Sequence, residues 1–151
     1  MWFEDLTPCT YFGLDTALVA VGWLERGRPF YVGEVDAAVY SALVEMCHRP
    51  WQPVVFGGAH KCDLCQFDGR SGAANLFIPH EGVLYACPAL VVHYIDAHWY
   101  CPPEPFRRAV LACPPMHSMA YLRAIAAAGG ARLGRPPSRA PSTHRGDEPE
   151  K

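Results

Sequence analysis

Long apolar runs are missing from this sequence. The longest, Ala17 to Leu24, falls far short of the roughly 20 residues a helix needs to cross a bilayer, so no helical membrane span is expected. The opening stretch MWFEDLTPCTYFG also lacks the basic cluster and apolar core of a secretory leader, with Glu4 and Asp5 where lysine or arginine would stand. A cytoplasmic protein is the expectation. Positive charge is scarce too: 13 Lys and Arg face 15 Asp and Glu. Beyond Leu133 lie 4 of those basic and 3 of those acidic residues, which leaves 9 basic against 12 acidic in the body. Arg107 and Arg108 are the adjacent pair, and no basic stripe is available to neutralise phosphates. Nucleic-acid binding is therefore an unfavoured alternative. Also lacking is a glycine-rich phosphate loop, since neither FGGAH nor DGRSG has the P-loop or dinucleotide spacing.

What is present in quantity is cysteine. Seven thiols in 151 residues is an odd number in a chain longer than the usual small disulfide scaffold, which favours reduced thiols, some of them on a metal, over a disulfide framework. Apolar residues make up 50% of the chain, enough for one core. The stretch GRPPSRAPSTHRGDEPEK contains almost nothing apolar and cannot offset the entropy of ordering. It reads as a disordered tail over 134–151 behind a single domain over 1–133, with His144 a bystander.

Within the body, Ala17 to Leu24 reads as a buried strand closed by the turn ERGRP. Val39, Ala42, Leu43 and Met46 have helical spacing between Asp36, a capping residue, and Cys47; Pro50 ends that segment. A short strand is expected in PVVFGG. ANLFIP and GVLYA flank HEG as a β-hairpin. A helix starting with Pro88 in its first turn then runs through PALVVHYIDAHWY to the block CPPEP, followed by helices over Glu104 to Ala112 and Ser118 to Ala128. Gly129 and Gly130 close the last one. The expected class is α+β, a small antiparallel sheet flanked by helices.

Those elements frame a metal site. Cys62 and Cys65, two residues apart in a glycine-flanked turn, are half of a tetrahedral set. A hairpin and then a helix bearing His93 and His98 follow, as in zinc modules built from a knuckle, a hairpin and a helix. Five helical residues rotate about 500°, so the two imidazoles converge only if the last turn loosens near His98. The expected site is one structural zinc on Cys62, Cys65, His93 and His98. Cys101 could replace His93, and His60 could enter, though it stands awkwardly close to Cys62. The plainer reading is two free loop thiols and a buried His93. A redox pair is disfavoured, because that chemistry places its first thiol at a helix N-terminus and Gly69 and Gly72 mark a loop here. Cys87 and Cys113, each preceding a proline at an expected helix start, could be nucleophiles but read better as core; Cys9 and Cys47 read as core or surface.

The segments DLTPCTYF, GAHKCDLC and CPALVVHYIDAHWYCPPEPFRRAVL resemble an uncharacterised family of small bacterial proteins. That family shares a G-x-H-x-C-x2-C segment and a helix P-x-L-I-x-H-Y-x3-H followed by paired prolines. The resemblance spans Asp5 to Leu122 and falls on Gly58, His60, Cys62, Cys65, Pro88, His93, Tyr94, His98, Tyr100, Pro102 and Pro103. Cys9 departs from it, standing where an aromatic residue is expected. The resemblance implies the metal site and no activity.

Four good ligands leave no open metal position, so the expected role is an interaction or regulatory module that meets a protein partner. Trp99, Tyr100 and Phe106 read first as packing between two helices; with Arg107 and Arg108 they are also the candidate patch. The alternative is an enzyme or sensor with an open zinc position near Asp96, in which Asp96, His60 or His80 moves the proton. The composition of the tail makes one prediction: truncation after Leu133 leaves a cooperatively folded domain with nearly the same melting temperature. A drop of many degrees would show that the tail belongs to the fold.

Overall fold

A computed structural model describes residues 1–53 and 58–133. The expected strand in PVVFGG and the tail over 134–151 thus fall wholly or mostly outside the described residues. The elements in chain order are β1 (Val19–Ala20), α1 (Ala37–His48), β2 (His60–Lys61), β3 (Ser71–Gly72), β4 (Asn75–His80), β5 (Val83–Pro88), α2 (Val91–His98), α3 (Glu104–Ala112) and α4 (Met119–Ile125). The class is α+β, as the sequence implies.

The hairpin is where it was expected. Glu81 and Gly82 form its two-residue turn with φ of 47° and 77°, the double positive φ whose twist matches two antiparallel strands. Phe77 pairs with Ala86 and Ile78 with Tyr85. On its other side β5 pairs with β1 in parallel, Val19 opposite Tyr85. The sheet is therefore mixed, not purely antiparallel, with order β1-β5-β4. Pro79 lies in β4, outermost among the described strands, where a missing N–H costs least.

Both faces of this sheet are covered, and the side chains divide by the two-residue period of a strand. Leu76, Ile78, Tyr85 and Cys87 face one core with Val39 and Leu43 of α1, Val91 and Tyr94 of α2, and Phe106, Ala109 and Val110 of α3. Phe77, Leu84 and Ala86 face a second core with Phe12, Trp23 and, from α4, Tyr121 and Ile125. The Tyr121 hydroxyl donates to the Phe77 carbonyl at 2.6 Å. Ser118 caps α4 by accepting from the Tyr121 N–H. After Ile125 the helix widens into a single π-helical turn, Ala126–Gly130, where Gly129 turns left-handed at φ 89°.

Three local expectations are corrected. The strand in Ala17 to Leu24 is only Val19–Ala20, because Gly22 adopts φ 77° and turns the chain out of the sheet. A Cβ there would stand 3.2 Å from the Cys87 sulfur and 3.3 Å from Val91. Pro88 ends β5 and α2 begins at Val91, so the proline closes a strand instead of opening a helix. Asp36 occupies the N-cap position of α1 but makes no side-chain capping bond.

Asp5 ties the N-terminal segment to the rest. Its Oδ1 accepts from the Gly22 N–H at 2.9 Å and its Oδ2 from the Tyr100 hydroxyl at 2.7 Å. Tyr100 is fully buried. Burial pushes the Asp5 carboxyl above its ordinary value, against the two hydrogen bonds, which favour the charged form. Asp5→Ala should cost about 2–4 kcal/mol in urea unfolding, since two donors lose their acceptor. Asp5→Asn keeps an acceptor and should cost less. A raised folded pKa means that the folded state binds the proton more tightly, so this group's contribution falls as pH rises from 3.8 through the raised value. That slope should vanish in Asp5→Asn; an unchanged pH profile would contradict the assignment.

Candidate metal centre

The chain brings two thiols to two imidazoles from opposite sides. β2 and β3 pair as a four-residue ribbon, His60 opposite Gly72 and Lys61 opposite Ser71, and the loop they frame holds Cys62 and Cys65. The Cys62 N–H donates to the Arg70 carbonyl at 2.8 Å, closing the loop at its base. Gly69 passes so near that a Cβ on it would lie 2.0 Å from the Cys62 carbonyl oxygen. Any other residue would push the ribbon open. The backbone N–H groups of Cys65 and Leu64 point at the Cys62 sulfur, an arrangement that stabilises a thiolate.

The imidazoles come from α2. Their five-residue separation is accommodated where the helix ends, because Trp99 takes a left-handed conformation (φ 57°) and its N–H reaches back five residues to the Tyr94 carbonyl. The widened last turn is the loosening the spacing required. The His93 and His98 rings lie edge to face with centroids 5.2 Å apart.

The Cys62 sulfur lies 3.3 Å from His98 Nε2, and the Cys65 sulfur lies 3.3 Å from His93 Nε2 and 3.4 Å from His98 Nε2. All four ligand atoms fall within 4.8 Å of one another. A tetrahedron with metal–sulfur bonds of about 2.3 Å and metal–nitrogen bonds of about 2.0 Å has sulfur–nitrogen edges of about 3.5 Å. The cluster is therefore of the size that could hold a metal ion. Burial first, then the neighbouring His98 and Arg70, lowers the His93 pKa against the pull of Asp96. A lowered value keeps this imidazole neutral, the form that ligates. Burial also raises the Cys62 thiol. Its proton must leave when a metal enters.

The competing ligands stand elsewhere. Cys101 turns its sulfur toward the Glu34 and Pro102 carbonyls, at 3.9 and 3.7 Å. His60 packs among the rings of Tyr11 and Trp23, and burial lowers its pKa. His80 lies at the far hairpin end beside Glu81. Asp96 is exposed and lines a groove of about 360 Å³ with Glu34, Tyr40 and Trp99.

The remaining thiols are not at helix starts. Cys87 is fully buried in β5, which drives its pKa well up, and Cys113 follows the C-terminus of α3 with burial raising it to about 11. Neither is placed as a nucleophile. Cys9 is core, and Cys47 is half-buried against the first core. The expected aromatic patch also needs correcting. Tyr100 and Phe106 are fully buried, and Trp99, 65% exposed, is the surface member. Residue type, aromatics beside arginine, does not tell an inner face from an outer one, and Phe106 lies on the inner face of α3.

Arg26 carries no signal in the sequence beyond its place in a turn. Its backbone N–H donates to Asp63 Oδ1 at 3.0 Å, its Nε to the Asp63 carbonyl at 2.7 Å and its Nη2 to the Cys65 carbonyl at 2.9 Å.

Neither curated proteins nor solved structures give a match to this chain. Its family is nevertheless identifiable. The family model of DUF7919, described as a domain of unknown function, matches residues 1–111, and because that span covers most of the chain and all four clustered side chains, the protein belongs to this family.

Proposed function

We propose that this protein is a zinc-binding module in which one ion, held by Cys62, Cys65, His93 and His98, is structural. The observation carrying this reading is the meeting of two sulfurs and two imidazole nitrogens, from two separate segments, within 4.8 Å. Two soft and two borderline ligands at tetrahedral separations favour zinc over harder cations. Four protein ligands complete the coordination shell, so such an ion has no position for a reacting water. Asp96, the proton-transfer group of the enzyme alternative, sits outside the cluster on an exposed face. The bound ion would pin the knuckle loop to the end of α2.

Elemental analysis of protein purified without chelator should find about one zinc per chain, the stoichiometry of a single tetrahedral site. X-ray absorption should give two sulfur and two nitrogen neighbours. A metal-free preparation sinks the reading, and an oxygen in the first shell would favour the enzyme alternative. His93→Ala should lose the metal and destabilise strongly, because structural zinc contributes on the order of 10 kcal/mol of apparent folding free energy. Cys101→Ser should retain it. The reverse pattern would reassign the set to Cys62, Cys65, His98 and Cys101.

The module's role in this reading is to present a surface to a protein partner. Tyr31, Val32 and Trp99, each at least 65% exposed, supply its apolar surface. A photoreactive amino acid in place of Trp99 should crosslink to one predominant protein in the native cell. An unreacted chain would count against the partner.

A further inference from the structure

The knuckle is held by more than its ligands. Cys62, Leu64 and Cys65 pack against the first core, but Asp63, Gln66, Phe67 and Asp68 are exposed, and Phe67 is 85% exposed. The exposed part of the loop has little hydrophobic reason to keep one shape, and it borders both thiols. Yet its sulfurs must stand within a few tenths of an ångström of fixed positions if a small ion is to bind tightly. Arg26 supplies a restraint from outside the loop.

Three features distinguish this contact from an ordinary surface arginine. It reaches 37 residues along the chain to Asp63 and 39 to Cys65, so it joins two segments that are distant in sequence. Its guanidinium spans two backbone carbonyls of the Cys62–Cys65 turn, and its own N–H fixes the Asp63 side chain between the two cysteines. The anchor is firm as well. Arg26 stands two residues after Val21–Leu24, which is buried throughout and held by the Trp23 indole N–H donating to the Ala86 carbonyl of β5 at 2.9 Å.

We infer that Arg26 is a positioning residue for the metal centre: it holds the Cys62–Cys65 turn in the ligating conformation before the ion arrives. This inference rests on the zinc reading above. Groups that orient metal ligands without touching the metal commonly change affinity 10- to 100-fold when removed. A planar fork is required to reach two carbonyls at once, which one ammonium cannot reproduce.

The test is a competition titration of zinc against a chromophoric chelator with the full chain. Arg26→Ala should weaken zinc binding by about 10-fold or more, and Arg26→Lys should recover only a small part of it. Arg123→Ala, removing an exposed arginine on α4, should bind as the wild type does. Hydrogen exchange on the zinc-loaded proteins separates positioning from general support. In Arg26→Ala the Leu64 and Cys65 amides should exchange faster while the amides of β4 and β5 keep their protection. Affinity within twofold of the wild type in Arg26→Ala overturns the inference, as does equal loss of protection in β4 and β5. A wild-type chain that takes up no zinc overturns the zinc reading and this inference together.

Discussion

A ribbon of two residues in each strand cannot keep its own shape in water, and the part of this protein that carries both vicinal thiols is such a ribbon. What it meets at the end of α2 is the constraint on which the molecule is arranged. Two sulfurs and two imidazole nitrogens cluster where β2, β3 and α2 come together. Neither segment can form that cluster alone. The knuckle can present the thiols because Gly69 lets the chain double back on Cys62, and the helix can present the imidazoles because its last turn is widened by Trp99.

Strand β5 sets the distance between those partners. It pairs with β1 on one side and β4 on the other, is covered by a core on each face, and leads through Ala89 and Leu90 directly into α2. The Trp23 indole bonds its Ala86 carbonyl, and the segment that carries Trp23 continues to Arg26 over the knuckle. The buried sheet thus serves both halves of the cluster, α2 through chain continuity and the knuckle through Arg26. Asp5 links the same pieces from below, bridging Gly22 of the first segment to Tyr100 just beyond α2.

Polar groups hold most of these junctions, and each bridges elements far apart in the chain. The apolar cores, one of which includes Cys62, supply the bulk of the burial, and the polar contacts add direction at the junctions. A hydrophobic contact is tolerant of rotation and of small shifts. Hydrogen bonds from a tryptophan, an arginine fork and a carboxylate are directional. A centre whose ligands come from separated segments needs that directionality.

Sequence by itself determined several of the local elements and the small set of residues from which the cluster is drawn. The hairpin was legible because two apolar runs flank a short glycine-bearing turn, and α3 because it lies between the proline block CPPEP and the Cys113-Pro114 step. Cys62, Cys65, His93 and His98 stood out by residue type and order, which are local properties. The α+β class followed from an expected hairpin set among separate helices. Other features depended on what lies opposite in space. Cys87 and Pro88 looked like a helix start because a proline there is compatible with either structure, and only pairing with β4 made them strand. Tyr100 and Phe106 could be read as helix packing or as a surface patch, because the sequence does not say which side of an element faces the core; the fold buries both. The choice of His93 over Cys101 was open on spacing, since both stand within reach of His98 along the chain. In the fold His93 joins the cluster, while Trp99 turns left-handed and the Cys101 sulfur faces the Glu34 carbonyl, an outcome of how the helix end packs that no local pattern encodes.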